Sequence, residues 1–247
     1  MNSIEPDLAG LYHLNSSSTR SKILEREQDP ETRPASRRLY PGAERVRLPG
    51  RDFDLPLPLG DALERRSSRR DFRLAPLPLE TLGRLLHASF GRNQRRSRPF
   101  PSAGGLYPLE LYAITQQVEG LPDGIWHYDP WVHELALRRD GRFFDEASAI
   151  AYGQAVIRQA NLLLCLSAVF ERTAAKYGQR GYRYVLFEAG HVGQNLYLVA
   201  DALGLAPFSI GGFFDHELDA LLRLPSGEEE ALYLFCAGQP ASQLGGS

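Results

Sequence analysis

The chain has 247 residues, 43% of them hydrophobic and 23% charged, with a formal net charge of −2. That length and balance suit one well-buried globular domain. The near-zero charge gives no basis for binding nucleic acid or an anionic membrane surface, and no apolar run reaches the roughly 18–20 residues of a membrane span. The first residues, MNSIEPDLAGLYHL, carry an early Glu and Asp and no apolar core, so no signal peptide is expected and the expected location is cytoplasmic. Residues 1–58 are rich in Pro, Arg, Ser and Asp, with prolines at 30, 34, 41, 49, 56 and 58 that exclude a long helix. They read as an extended arm laid over the core or over a partner subunit. Residues 59–247 read as the globular domain.

Within that domain, LGDALERR (59–66) predicts a short helix and LETLGRLLHASF (79–90) a second, opened after Pro78 and closed by Gly91. LELYAIT (109–115) predicts a strand. Residues 125–128 and 131–137, joined through Asp129-Pro130, predict a hairpin. Residues 144–159 read as helical and 162–170 as a fully buried strand. Residues 181–204 carry Val185, Ala189, Val192, Leu196, Val199 and Leu203 at alternating spacings of three and four, the stripe of an amphipathic helix. Asp215 is placed to cap a helix over 216–222, and 231–238 reads as a last strand. Helices outnumber strands in this reading, and the irregular order indicates an α+β domain rather than a doubly wound sheet. Cys165 and Cys236 each sit in an apolar run with no Cys or His at ligand spacing, so they read as core residues and no metal site is expected.

Four stretches can carry chemistry. Arg65-Arg66-Ser67-Ser68-Arg69-Arg70 gathers guanidinium forks and hydroxyls that suit a phosphate, or forms a solvated basic loop. Pro101-Ser102-Ala103-Gly104-Gly105 lets backbone approach a flat ligand, or is a plain turn. Pro207-Phe208-Ser209-Ile210-Gly211-Gly212-Phe213 offers the same choice. Lys176-Tyr177-Gly178 lies between the buried strand and the long helix, where burial and the nearby Arg180 and Arg183 would lower a lysine pKa; a surface loop with aromatic anchors is the alternative. The chain has 26 arginines and only two lysines, Lys22 and Lys176. A lysine kept in so Arg-rich a chain marks a position where a permanently charged guanidinium would fail. No GxGxxG or GxxxxGK[ST] stretch supports a Rossmann or P-loop reading. His191, between Glu188 and Asn195 on the long helix, reads as a packing histidine.

In this order, these residues resemble the nitroreductase superfamily. The RRSSRR loop looks like its phosphate-binding motif, IGGF like the segment beside the isoalloxazine, and EAGHVGQNLYLVADALGL like its central helix. PSAGGLYPLELY, KYGQRGYRY and IGGFFDHELDALLRL look like the SagB-type branch, which includes oxidases of thiazolines and oxazolines in peptides. The resemblance spans roughly residues 59–240, and YHLNSSS near the N-terminus also looks like that branch.

The resemblance implies a nitroreductase-like α+β fold, with a central, mostly antiparallel sheet flanked by helices. It implies bound FMN and a homodimer or multi-enzyme complex, with flavin sites between subunits. Arg65, Arg66, Ser67 and Arg69 would hold the flavin phosphate; Pro101, Ser102, Ala103, Gly104, Ser209, Ile210, Gly211 and Gly212 would line the ring or ribityl chain. Lys176 and Tyr177 would correspond to the Lys-Tyr pair of azoline oxidation. The sequence departs from simple nitroreductases in having no late Lys/Arg pair after CAGQP, so the phosphate is expected to rely on the earlier arginines. The implied activity is FMN-dependent oxidation of a peptide-derived or carrier-bound azoline to the azole. The alternatives are a NAD(P)H-dependent nitro or quinone reductase on the same fold, and a non-catalytic docking subunit of a biosynthetic complex.

Overall fold

Two mostly apolar runs set the architecture. Leu109–Thr115 (β2) and Leu162–Ala168 (β5) are buried at every position, which requires cover on both faces of the sheet they share. They pair antiparallel, Leu109 opposite Ala168 and Thr115 opposite Leu162. The computed structural model describes residues 8–18, 35–52, 54–95 and 97–242. On one side of this pair lie Gly124–Asp129 (β3), Glu134–Asp140 (β4) and Arg45–Arg47 (β1); on the other lie Glu230–Gly238 (β7) and Ala206–Ile210 (β6). The order is β1-β4-β3-β2-β5-β7-β6, and every neighbouring pair is antiparallel.

Alternation along each strand feeds two cores. Leu162, Leu164 and Leu166 join Leu111 and Ala113 on one face. That face is closed by Leu79–Phe90 (α3) and Arg180–Ala202 (α6), with Val185, Ala189, Val192, Leu196 and Val199 of the predicted stripe buried against it. Leu163, Cys165 and Cys236 point the other way and pack beneath Phe144–Ile150 (α4) and Asp215–Leu222 (α7). Both cysteines are free and fully buried. A Cβ at Gly83 of α3 would stand 2.0 Å from the Pro49 carbonyl oxygen, so only glycine lets the segment after β1 run this close to the helix.

Beyond α4 and α7, the second face turns polar. Glu110, Tyr112, His127, Asp129 and Ser167 are all buried there. Residues 35–45 cover them: Arg37 pairs with Asp129, Arg38 with the buried Glu229 at 3.0 Å, and Tyr40 bonds the Tyr112 hydroxyl. Glu229 also accepts from Tyr112 at 2.9 Å and Ser167 at 2.6 Å. Glu110 binds His127 at 2.9 Å and Arg172 at 2.6 Å. Burial pushes the Glu110 carboxyl up, but these two partners prevail and hold it at about 2.

The α+β class and the antiparallel sheet follow the sequence reading; several local expectations do not. Seven strands and seven α-helices are present among the described residues, so helices do not outnumber strands. Within the segment expected to be extended, Leu8–Ser16 (α1) is helical and Arg45–Arg47 adds an edge strand. Lys22, Pro30 and Pro34 lie outside the described residues. The 144–159 stretch breaks: α4 ends at Ile150, Tyr152 and Gly153 take positive φ, and the Ser148 hydroxyl ties the turn to the Gln154 carbonyl. Asp215 does not cap α7; Phe214 holds that position, and Asp215 sits inside the first turn at the positive end of the helix. The second hairpin strand begins at Glu134 because His133 is left-handed at φ 60. β6 replaces what reads as a plain Gly-rich loop. Among the described residues no helix is long and apolar enough to cross a membrane.

Candidate active site

α6 runs past both groups of candidate site residues, contributing Tyr197 to one and Glu188 to the other. Near its C-terminal half, the basic loop follows Leu59–Arg65 (α2) and is pinned to the sheet where the Arg69 amide donates to the Pro207 carbonyl of β6 at 2.7 Å. Tyr197 of α6 ties the loop to the Gly-Gly segment. Its hydroxyl lies 2.8 Å from Ser68 Oγ and 3.1 Å from Ser209 Oγ, and accepts the Ser209 amide at 2.9 Å. A cavity of about 510 Å³ opens here, with Arg65, Arg69, Arg73 and Asp201 in its wall.

Three arginines against one carboxylate make that wall suited to a terminal phosphate. All three already have partners: Arg65 lies 3.5 Å from Asp201, Arg69 binds Asp71 at 2.7 Å and the Ser242 carbonyl at 2.8 Å, and Arg73 donates to the Pro240 carbonyl at 3.2 Å. The Arg69 bond, working against burial, holds the Asp71 carboxyl at about 2. Arg66 and Ser67 face solvent outside this cavity, with Arg66 over the Tyr197 ring. Where a Cβ would stand on Gly211 there is nothing within 4 Å, which leaves that backbone open to a flat ring. At Gly212 a Cβ would strike the Tyr152 ring at 2.7 Å.

The second group gathers near the N-terminal half of α6. Ala103–Gly105 forms a single tight turn in which Gly104 and Gly105 take φ of 63 and 65, and Tyr107 follows at φ 47. Ser102 Oγ accepts the Tyr107 amide at 2.9 Å and fixes the turn. Glu171–Tyr177 (α5) lays its last turn on this glycine: a Cβ at Gly104 would stand 2.8 Å from Tyr177 Oη and 3.0 Å from Lys176 Nζ. Lys176 and Tyr177 thus belong to a helix end, not to a loop, and both are half-buried. Arg180 and Arg183 turn towards α1, bonding Ser16 and His13, so these bonds direct them at the arm instead of at Lys176.

Glu188 is the residue that the sequence reading passed over. It is 3% exposed, and its Oε1 has no hydrogen-bond partner. Burial pushes its carboxyl up to about 7, held back by a bond to Ser102 and the charge of Arg98. The signal was present: Glu188 stands among Val185, Ala189 and Val192 on the apolar side of the helix. His191, expected to pack, faces solvent. Among the described residues no hydrogen bond or ion pair joins the Tyr197 group to the Glu188 group, and no cluster of His, Cys, Asp and Glu could hold a metal.

The nitroreductase family profile matches residues 62–239. MJ1384 of Methanocaldococcus jannaschii, a protein named for the nitroreductases, is 38% identical over 182 residues, which is 73% of this chain and 90% of that protein. The microcin B17-processing protein McbC of Escherichia coli is 30% identical over 146 residues; the match takes in 56% of this chain and 54% of McbC, so the chain spans about half of that relative. The Escherichia coli microcin synthetase McbBCD complex with truncated pro-MccB17 bound shares the fold at a TM-score of 0.63 and 22% identity, over 94% of this chain and 91% of that one. With the family profile matching most of the chain, and a relative 38% identical over 90% of its own length, the chain belongs to the nitroreductase family of oxidoreductases, whose members typically bind FMN.

Proposed function

We propose that the protein is an FMN-dependent dehydrogenase that oxidises a thiazoline, oxazoline or related peptide-derived heterocycle to the aromatic azole. The observation that carries this reading is the convergence of Lys176 Nζ and Tyr177 Oη on Gly104. Aromatising an azoline removes two electrons and two hydrogens; FMN, when bound, supplies the two-electron acceptor. This chain must supply a base for the ring proton and a surface that holds the ring. Lys176 or Tyr177 takes the proton, and the Gly104 backbone, lacking a side chain, leaves the pair within reach of a flat substrate. Arg65 and Arg69, in the cavity wall, hold the phosphate, with Arg66 and Ser67 beside them on the same loop, while Pro101, Ser102, Ala103 and Gly104, with Ser209, Ile210, Gly211 and Gly212, line the ring and ribityl chain. The likeness to McbC supports the substrate class.

Glu188 and Tyr197 are nine residues apart on α6, about 14 Å along its axis. The exposed side of that helix carries Tyr182, Leu186 and Phe187, with Leu59 and Leu63 of α2 also exposed. A homodimer formed on these apolar residues completes each flavin site from two chains, and the McbBCD complex supports assembly with further subunits. Incubating the isolated protein with a peptidyl thiazoline tests the reading. Loss of two hydrogens by mass is the expected result; an unchanged peptide alongside rapid NADPH bleaching of the flavin overturns it in favour of a nitro or quinone reductase, the reading that the match to MJ1384 favours. Cofactor released from the protein is expected to be FMN, and FAD would overturn the assignment of the basic loop to a single terminal phosphate.

A further inference from the structure

Behind the Gly104 turn lies a second cavity, of about 260 Å³, with Ser36, Arg92, Arg98, Gly105, Tyr107 and Trp131 in its wall. Among the described residues no acidic residue lines it. Arg98 is 8% exposed, yet its guanidinium makes one long bond, to the Phe90 carbonyl at 3.4 Å, and no ion pair among the described residues. Its other contacts are the faces of Phe90, Tyr107 and Phe100, at 4.5, 5.2 and 5.9 Å from their ring centres. A guanidinium has five N–H donors, so most of the hydrogen-bonding capacity of this buried cation is unused. Burial accordingly pulls Arg98 below its usual range, against the attraction of Glu110 and Glu188 at longer distance. Across the cavity Arg92 lies 3.8 Å over the Trp131 ring, giving a flat wall of aromatic and cationic character.

We propose that this cavity is a subsite for a carboxylate borne on a flat apolar ring, the carboxylate meeting the Arg98 guanidinium and the ring lying between Tyr107 and Trp131. A carboxylate matches the guanidinium fork with two parallel charged bonds, and a cation already desolvated gives those bonds more strength than a surface arginine would. The subsite does not depend on the redox reading. Gly105 is shared between the cavity wall and the turn facing Lys176, so a molecule held here lies just behind the candidate reaction site.

Benzoate is the probe, with benzamide as its neutral isostere and inorganic phosphate as a bare anion. Calorimetric titration of the protein as isolated, flavin retained, is expected to show saturable benzoate binding. Benzamide should bind about 10- to 100-fold more weakly, the range of a lost charged hydrogen bond. Arg98→Met should abolish the preference for benzoate, and Arg92→Gln, a change at the cavity rim, should weaken benzoate while leaving the melting temperature unchanged. Equal affinity for benzoate and benzamide, or no saturable binding of either, would show that Arg98 only supports the surrounding rings and overturns the proposal. Phosphate binding as tightly as benzoate also overturns it, since the aromatic walls would then have no role. If Arg98→Met does not fold, Arg92→Gln decides: benzoate bound as tightly as by the unmodified protein counts against the site.

Discussion

The two halves of α6 handle charge in opposite ways. Around Tyr197, arginines outnumber acids, and they are partly solvated: Arg65 keeps 45% of its side chain exposed while facing Asp201. Around Glu188, the carboxyl is 3% exposed with one oxygen unpartnered. A solvated cationic rim can bind and release a phosphate at little cost, because water replaces each lost bond. A buried group cannot do so, and its protonation shifts instead. The first region therefore suits cofactor retention and the second suits proton chemistry. Substitutions should separate them, the former altering FMN affinity and the latter altering turnover and pH response.

The largest effect is expected at the Lys176–Tyr177 pair. Lys176→Ala and Tyr177→Phe should leave FMN bound, and whichever residue is the base should lose about 10²–10⁴-fold in substrate oxidation. Lys176→Arg should not rescue, because a guanidinium stays protonated at any working pH and accepts no proton. Single-turnover assays with flavin content measured in parallel check this. Near-normal turnover of Lys176→Arg would remove lysine as the base, and FMN loss in these variants would erase the distinction between the two halves.

Glu188 should make stability depend on pH near neutrality. Its carboxyl titrates at 4.5 in the unfolded reference and at about 7 in the fold. Between those values the folded state binds more protons than the unfolded chain, so stability falls as pH rises from about 4.5 through 7 and stays low above that. The change is on the order of 3 kcal/mol. Glu188→Gln, which resembles the neutral acid, should flatten the profile and gain most over the wild type above pH 7. Urea denaturation at pH 5 and pH 8 measures it; equal pH dependence in both proteins would show that Glu188 is ionised throughout. On the acid side the sign reverses for Glu110: its folded value of about 2 lies below its usual 4.5, so its contribution is lost as pH falls through about 2.

How much of this was legible depended on whether the signal lay along the chain or across it. The long helix was readable because Val185, Ala189, Val192, Leu196 and Val199 repeat with the helical period, and β2 and β5 because both are short, mostly apolar runs. β6 was hidden because five residues starting Ala-Pro show no alternation, and its strand character comes from pairing with β7. The acids under residues 35–45 were hidden too. Glu110 and Asp129 look like ordinary polar positions until the register sets them on one face, where Arg172 and Arg37 neutralise them. The candidate site divided in the same way. The basic loop and the glycine turns were visible as local composition, and Glu188 as a polar residue on the apolar stripe; the grouping through Tyr197 and Gly104, and the burial of Arg98, arise only from packing between distant segments.

A smaller effect is expected at the cationic rim. Arg69→Ala should weaken FMN retention by about 1.5–3 kcal/mol if the guanidinium bonds the phosphate. The variant also frees the Asp71 carboxylate, which Arg69 now binds at 2.7 Å, and an anion beside the phosphate acts in the same direction. Adding Asp71→Asn to Arg69→Ala separates the two contributions: recovery of part of the affinity measures the freed carboxylate, and the remainder measures the lost bond. Unchanged affinity in Arg69→Ala would mean that the loop is a solvated surface.

The smallest stability change, and the one that best isolates geometry, is Gly104→Ala. Two penalties combine there. The residue has φ of 63, which costs an L-residue about 1–2 kcal/mol, and its new methyl would meet Tyr177 Oη at 2.8 Å and Lys176 Nζ at 3.0 Å. Both neighbours are flexible tips, so the clash is relieved by moving them and adds little to the loss of stability. That movement displaces the candidate base, and a displacement of this size is enough to reduce turnover well beyond the stability change. Gly120→Ala is the matched control: its φ is 72, and nothing lies within 4 Å of the added methyl. It should lose similar stability and keep full turnover. Denaturation midpoints and turnover of the two variants, each corrected for flavin content, form the comparison. Equal turnover in both would mean that the contact of Lys176 and Tyr177 with Gly104 has no part in the chemistry.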